Sequence, residues 1–372
     1  MRINSRTGLA AVTLAMAVLP AVFLAPGATA ARTETAGAST AVQLRLPQPT
    51  GHFVVGVRDE SVSDPSRTDP TTLRPRRLPL RVWYPARSRS HAAPAPYVSA
   101  ATQAFMEHEL GLPTGVFDID THAYLDAPAR RHVRGVVLVQ PGGGSISAFQ
   151  TGLITDLASH GYAVVSMDIP QESFVVFEAD GTPIYQDESF PFDQWRLDAR
   201  VVLDDLARLV PQSRHQTPIG MFGHSRGGAA TIDTMFHEPR VQAGVSLDTG
   251  VILFGNEVSA PSGAVEAGLD QPLGLMCSLD APCSSPNIVE LTARLRGAHP
   301  QKELDILHNG YSDFVVFNAQ AISVDPVVGA TLDAWWPTGT VDSVAAGRRA
   351  MAAQRHFIVS FMDRHLAHVG DN

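Results

Sequence analysis

Residues Ile219–Gly228 read I-G-M-F-G-H-S-R-G-G, and their reading decides the fold. A short apolar run, Thr217–Phe222, has the character of a buried strand. Small residues that suit a helix, Gly228, Ala229 and Ala230, follow Ser225 at once. Between them lies Gly223-His224-Ser225-Arg226-Gly227, the G-x-S-x-G pattern of a sharp strand-to-helix turn that exposes a serine hydroxyl. The glycines are required because strand and helix pass too close for a side chain. The helix that starts there directs its free N–H groups and positive dipole end at the site. A serine so placed attacks a carbonyl carbon once a base takes its proton. The pattern alone fixes only three residues, so the strand–turn–helix context carries the reading.

Working outward, the surrounding chain alternates strand and helix. Arg134–Gln140 is expected as a buried strand, followed by the loop Pro141-Gly142-Gly143-Gly144. Phe149–His160 reads as a helix that ends at Gly161, and Ala163–Asp168 as the next strand. Asp193–Leu209 is an amphipathic helix with Trp195, Ala199, Val202, Leu206 and Leu209 at three- and four-residue steps. Val241–Leu247, Leu273–Ser278 and Leu304–Leu307 give three further strands, and Val344–His368 a C-terminal helix. Ahead of the core, His52–Arg58 and Leu78–Tyr84 read as a hairpin joined by a polar, Pro- and Asp-rich loop, and Ala100–Leu110 as a helix. The expectation is α/β, with a mostly parallel central sheet, an N-terminal antiparallel hairpin and helices on both faces. In such sheets the site lies at the carboxyl ends of the strands.

Composition narrows the function. Of the 372 residues, 44% are hydrophobic, enough for one large core. Arg2 and Arg6, the apolar run Leu9–Leu24 and Pro26-Gly27-Ala28-Thr29-Ala30 form a signal peptide over residues 1–30, cut before Ala31. Removing it takes the formal charge from −9 to −11, which argues against a nucleic-acid partner. Residues 31–43 are expected as a disordered leader and 44–372 as a single catalytic domain, exported and with no integral membrane segment after processing. Export puts Cys277 and Cys283 in an oxidising place, where a bridge between them is expected. Two cysteines without suitable partners do not make a zinc site, and no metal or organic cofactor is expected.

A nucleophilic serine needs a base, an orienting acid and an oxyanion hole. Far enough downstream of Ser225 to return to the site lie His299, His308, His356, His365 and His368. His299 precedes the Leu304–Leu307 strand and so sits at the wrong edge. The last three lie on the C-terminal helix. His308 alone directly follows a strand. Two aspartates compete as the acid: Asp248, in V-S-L-D-T-G, and Asp280, in M-C-S-L-D-A-P-C, each at a strand end. The backbone N–H of Arg226 is one expected oxyanion donor, and Pro141–Gly144 should supply the other. Phe174, Phe177, Phe314 and Trp336 are candidates for an acyl pocket or for core.

These segments resemble the platelet-activating-factor acetylhydrolases and their secreted bacterial relatives, within the α/β hydrolases. The likeness rests on G-H-S-R-G-G-A-A-T at the elbow, G-V-S-L-D-T-G, L-H-N-G-Y-S-D-F, D-L-A-S-H-G-Y (Asp156–Tyr162) and L-R-V-W-Y-P-A (Leu80–Ala86), and it spans roughly residues 44–365. The resemblance implies Ser225, Asp248 and His308 as triad, selecting Asp248 over Asp280, with Gly143 beside Arg226 at the oxyanion hole. It implies a carboxylic-ester hydrolase acting on a small-molecule or lipid ester, in the family a short-acyl phospholipid. Two departures stand out. Pro141-Gly142 occupies the place of the family's His-Gly, and the lipid-contacting segments are not recognisable. The alternatives are a lipase or polyester hydrolase with an open cleft, and a catalytically silent binding protein on the same scaffold.

Overall fold

The structure is a computed structural model that describes residues 41–187, 189–214, 216–249, 263–339 and 343–366. In chain order the strands are β1 (Val42–Arg45), β2 (Val54–Thr68), β3 (Pro75–Ala86), β4 (Phe117–Asp120), β5 (Ala123–Leu125), β6 (Val136–Gln140), β7 (Ala163–Met167), β8 (Val175–Phe177), β9 (Pro183–Tyr185), β10 (Ile219–His224), β11 (Val241–Leu247), β12 (Leu273–Cys277) and β13 (Gln301–Glu303). Nine of them form one sheet in the order β13-β12-β11-β10-β6-β7-β3-β2-β5. From β13 to β7 every pairing is parallel, and β3 joins antiparallel to both β7 and β2. The expected mostly parallel sheet with an antiparallel N-terminal hairpin is what forms.

Strand periodicity divides the core in two. Along β6, Val137 and Val139 point into one layer and Val136 and Leu138 into the other. A strand that is apolar at every position is therefore buried on both faces. The first layer is filled from α2 (Thr151–Ser159), α8 (Phe314–Val324) and α10 (Val344–His365), through Leu153, Leu157, Phe317 and Met362. The second is filled from α3 (Asp193–Asp204) and α5 (Arg226–His237), through Trp195, Val202, Ile232 and Met235. The short helices α4 (Leu206–Leu209), α6 (Gly263–Ala267) and α7 (Pro286–Thr292) extend this layer. At the margin of the first layer, α1 (Ala100–Glu109) adds Met106, and α9 (Pro326–Trp335) packs on α8 through Val328 and Leu332.

The structure departs from the expected elements in five places. The polar run after Arg58 is strand, not loop: β2 continues to Thr68 and pairs residue by residue with β3 as far as Asp64–Arg76. A two-stranded arm tolerates charge on its solvent side, so its composition imitates a loop. The helix expected over 193–209 breaks at Asp205, whose carbonyl accepts from Arg208 and Leu209 as a new turn begins. The strand expected at Leu304–Leu307 lies earlier, at Gln301–Glu303, where it pairs with Leu275–Cys277. Beyond it only single bonds continue the pairing, from the Leu304 N–H to the Cys277 carbonyl and from the Leu279 N–H to the Ile306 carbonyl, and of these apolar residues Ile306 alone is fully buried. The helix expected from Phe149 starts as a 3-10 turn, Ser147–Gln150. Finally, β1 pairs with β4 from Val42 onward, so Val42 and Gln43 belong to the folded body rather than to a leader. The signal peptide, leader residues up to 40 and His368 lie outside the described residues.

Candidate active site

The elbow is built by exclusion. A Cβ on Gly223 would lie 2.3 Å from the carbonyl of Gly227, and one on Gly227 would lie 2.2 Å from the Pro141 oxygen. Only glycine permits that approach. The crossing forces Ser225 to φ +52°, a left-handed conformation that a non-glycine residue holds only when its surroundings impose it. The Ser225 N–H donates to the Leu247 carbonyl at 2.8 Å, and the Thr249 hydroxyl donates to the Ser225 carbonyl. Ser225 is half-buried at the carboxyl end of β10.

The Pro141–Gly144 loop lies against this turn. A Cβ on Gly142 would come within 3.4 Å of the Ser225 Cβ, and one on Gly143 would meet Arg226 Cδ at 2.5 Å. Gly143 and Arg226, named separately from sequence, are thus neighbours beside the serine.

Asp248 follows β11 and is also left-handed, at φ +56°. Its carboxylate accepts from His308 Nδ1 at 2.6 Å, from the Ser278 N–H at 3.0 Å and from the Ser278 hydroxyl at 2.7 Å. A carboxylate only accepts, so Nδ1 carries a hydrogen and points it at Asp248. The imidazole is 34% exposed while Asp248 is buried. The Ser225 hydroxyl makes no hydrogen bond to the imidazole in this arrangement.

Asp280, the competing acid, touches the same histidine at a different atom. Its Oδ1 accepts the His308 backbone N–H at 2.8 Å and the Ser278 hydroxyl at 2.7 Å. One hydroxyl has one hydrogen, so Ser278 serves one carboxylate at a time. Asp248 therefore orients the ring and Asp280 the main chain. The bridge expected between Cys277 and Cys283 is present, and it closes the short loop that carries Ser278 and Asp280.

His224 was not marked by sequence reasoning, yet it supports the same loop. It is buried, and burial, with the neighbouring His308, holds its imidazole well below the usual histidine range, hence neutral. Its Nε2–H donates to the His308 carbonyl at 3.1 Å, and the two rings lie 4.4 Å apart. Gln354 Nε2 donates to the Gly310 carbonyl at 2.9 Å, and the Tyr311 hydroxyl to the Cys277 carbonyl at 2.6 Å. His308 is thereby fixed from three elements although no strand leads into it. The signal for His224 was its place beside the serine, which by itself says nothing about a partner 84 residues away.

The other histidines are elsewhere. His299 bonds the Gly297 carbonyl on an exposed loop, His356 is exposed on α10, and His365 packs on Phe361. Of the aromatic candidates, Phe314 is core at 3% exposure, whereas Phe174 and Trp336 are half-buried. Phe174 and Trp336 join Phe149 and Trp335 in one edge-to-face band. The band connects the oxyanion side, through the Phe174 N–H to the Ser145 carbonyl, with the histidine side, through Trp336 Nε1 to the Ser312 hydroxyl. Phe177 sits against Phe105.

The solved structure of a ferulic acid esterase from Streptomyces cinnamoneus superposes with a TM-score of 0.69 at 25% identity, covering 87% of this chain and 93% of that one. The fold is that of the α/β hydrolases. A protein of Arthroderma benhamiae named as a probable 1-alkyl-2-acetylglycerophosphocholine esterase is 27% identical over 247 residues, 59% of this chain. The chain spans 62% of that relative's length. The likeness to an esterase of the platelet-activating-factor acetylhydrolase type, read first from motifs, thus extends to a curated sequence. No family model matches the chain. Among the described residues no cluster of metal-binding side chains occurs, and no helix is long and apolar enough to cross a membrane.

Proposed function

We propose that this protein is a serine carboxylic-ester hydrolase, with Ser225 as nucleophile, His308 as base and Asp248 as orienting acid. The observation that carries the reading is the 2.6 Å bond from His308 Nδ1 to Asp248, on a ring that packs at 4.4 Å against His224, the residue before a serine held in the elbow conformation. His308 takes the Ser225 proton as the hydroxyl oxygen attacks the ester carbonyl. The alkoxide leaves with the proton from the imidazolium, and water, activated by the same imidazole, releases the acyl group. The N–H groups of Gly143 and Arg226 hold the oxyanion, each worth ~3 kcal/mol in the transition state. The Ser225–His308 hydrogen bond must form on substrate binding; catalytic contacts are commonly long or misaligned in a free enzyme.

The curated relative's name favours a short-acyl substrate. A second reading, an aromatic acyl group, is favoured by the band formed by Phe149, Phe174, Trp335 and Trp336, and agrees with the name of the ferulic acid esterase. Hydrolysis of p-nitrophenyl acetate, p-nitrophenyl decanoate and methyl ferulate, each repeated with Ser225→Ala, tests both. Activity that survives in Ser225→Ala, or none in the parent chain, overturns the hydrolase reading. The ratio of the three rates chooses the acyl class. Export, with the bridged cysteines in an oxidising compartment, completes the proposal.

A further inference from the structure

The loop after β7 carries Glu172, a carboxylate with no exposure to solvent that the proposed chemistry does not use. An isolated carboxylate is costly to bury. Its surroundings tie it to both halves of the oxyanion hole. Its backbone carbonyl accepts the Gly144 N–H at 2.7 Å, and two residues on, the Phe174 N–H donates to Ser145 at 3.1 Å. These two bonds bind its loop to the Pro141–Ser145 loop. Its Oε1 lies 2.9 Å from Arg226 Nη2. The contact is an ion pair between buried atoms, and the Trp195 side chain is a second hydrogen-bonding neighbour of the carboxylate. Between these ends, the stem of Arg226 lies across the face of Gly143. Gln171, in the left-handed region at φ +67°, is the turn that aims Glu172 inward.

We infer that Glu172 is a positioning residue of the oxyanion hole, which anchors the Arg226 side chain across Gly143 and so sets the spacing of the two N–H donors. The inference rests on the ester-hydrolase reading above. It separates the two roles of Arg226: its N–H stabilises the oxyanion, and its guanidinium fastens one loop to the other. Burial pushes the Glu172 carboxyl up to about 7, opposed by Arg226. The other groups facing it are Trp195 of α3, Asp187 beyond β9, and Arg76 of β3. The anchor is charged only above that value, so turnover should carry a dependence on pH near neutrality that belongs to Glu172.

The test is Glu172→Gln, which keeps shape and removes charge, with Arg226→Met, which keeps the N–H and removes the guanidinium. With p-nitrophenyl acetate, each should lower kcat about tenfold with KM within about twofold, the loss expected when a donor is displaced rather than removed. The double variant should be no worse than either single one, because both remove the same contact. Glu172→Gln should also lose the inflection near neutral pH. Unchanged kcat and pH profile in Glu172→Gln, additive losses, or an effect confined to KM would overturn the inference. If Glu172→Gln does not fold, Arg226→Met decides by kcat alone, its side chain being partly exposed. An inactive parent chain sinks the hydrolase reading instead, whereas an active parent, a dead Ser225→Ala and a normal Glu172→Gln sink only this inference.

Discussion

Ser225 and His308 come to one rim of the sheet by different means. The serine is placed mainly by backbone sterics: a strand end, a helix start and two glycines whose crossing leaves no other path, with the Leu247 carbonyl and the Thr249 hydroxyl holding its main chain. The histidine is placed by side chains and carbonyls from distant segments, Asp248, Asp280, His224 and Gln354, and by a loop closed with a disulfide. The serine half should fail by steric intrusion and the histidine half by loss of single hydrogen bonds. An intrusion moves a loop, whereas a lost bond loosens one.

The largest effects test the chemistry of each half. Asp248→Asn should lower kcat by ~10³–10⁴, because an amide cannot hold the Nδ1–H tautomer. Asp280→Asn should cost only about tenfold to a hundredfold, since it slackens the His308 main chain without changing the ring's partner. If Asp280→Asn proves the more crippled variant, the two acids exchange roles. Next comes the elbow. Gly227→Ala drives a methyl group into the Pro141 carbonyl and should lower kcat at least tenfold with a loss of thermal stability. An unperturbed Gly227→Ala would remove the steric argument. A smaller effect follows from opening the disulfide. Replacing Cys277 and Cys283 by serine should cost about 2 kcal/mol by loop-closure entropy, measured by denaturant unfolding. Its activity loss should be no larger than that of Asp280→Asn, because the same loop is released.

The last expected effect concerns the fold rather than turnover. Asp313 is buried against the start of α2, accepting from the Gly152 N–H at 2.9 Å and the Tyr97 hydroxyl at 3.1 Å. Burial pushes its carboxyl up to about 8, against these bonds. Between the ordinary carboxylate range and that value, the folded chain holds a proton that the unfolded chain has released. Stability contributed by this group therefore falls as pH rises through the window. In Asp313→Asn that slope should disappear, so the stability gap to the parent should narrow between pH 5 and pH 8. A gap constant with pH would contradict it.

The same contrast explains what the sequence made legible. The elbow, the parallel strands and the Pro141–Gly144 loop beside them are consequences of local sterics and of periodicity, which a sequence displays directly, whereas Gly143 within that loop came from the family resemblance. The histidine's loop was located by assuming a strand at Leu304–Leu307, but β13 ends at Glu303, so His308 stands where it does through contacts that no local pattern records. Asp248 and Asp280 could not be separated by position because both do touch His308; the atom each one touches is a tertiary fact. Glu172 looked like any loop glutamate, since burial of a polar residue leaves no periodic trace. The long hairpin reads as loop because its polar residues are held by ion pairs such as Arg67–Asp64 and Arg76–Asp198, which leave no alternating apolar pattern.

The central claim is that these two independently built halves meet in one ester hydrolysis at Ser225. The most direct measurement is intact-mass spectrometry of the chain, acid-quenched within the first turnover of p-nitrophenyl acetate. One acetyl group on the parent chain, mapped to the peptide holding Ser225 and absent from Ser225→Ala, is the result expected. Release of p-nitrophenol with no acetyl on that peptide, or equal labelling in Ser225→Ala, would contradict it.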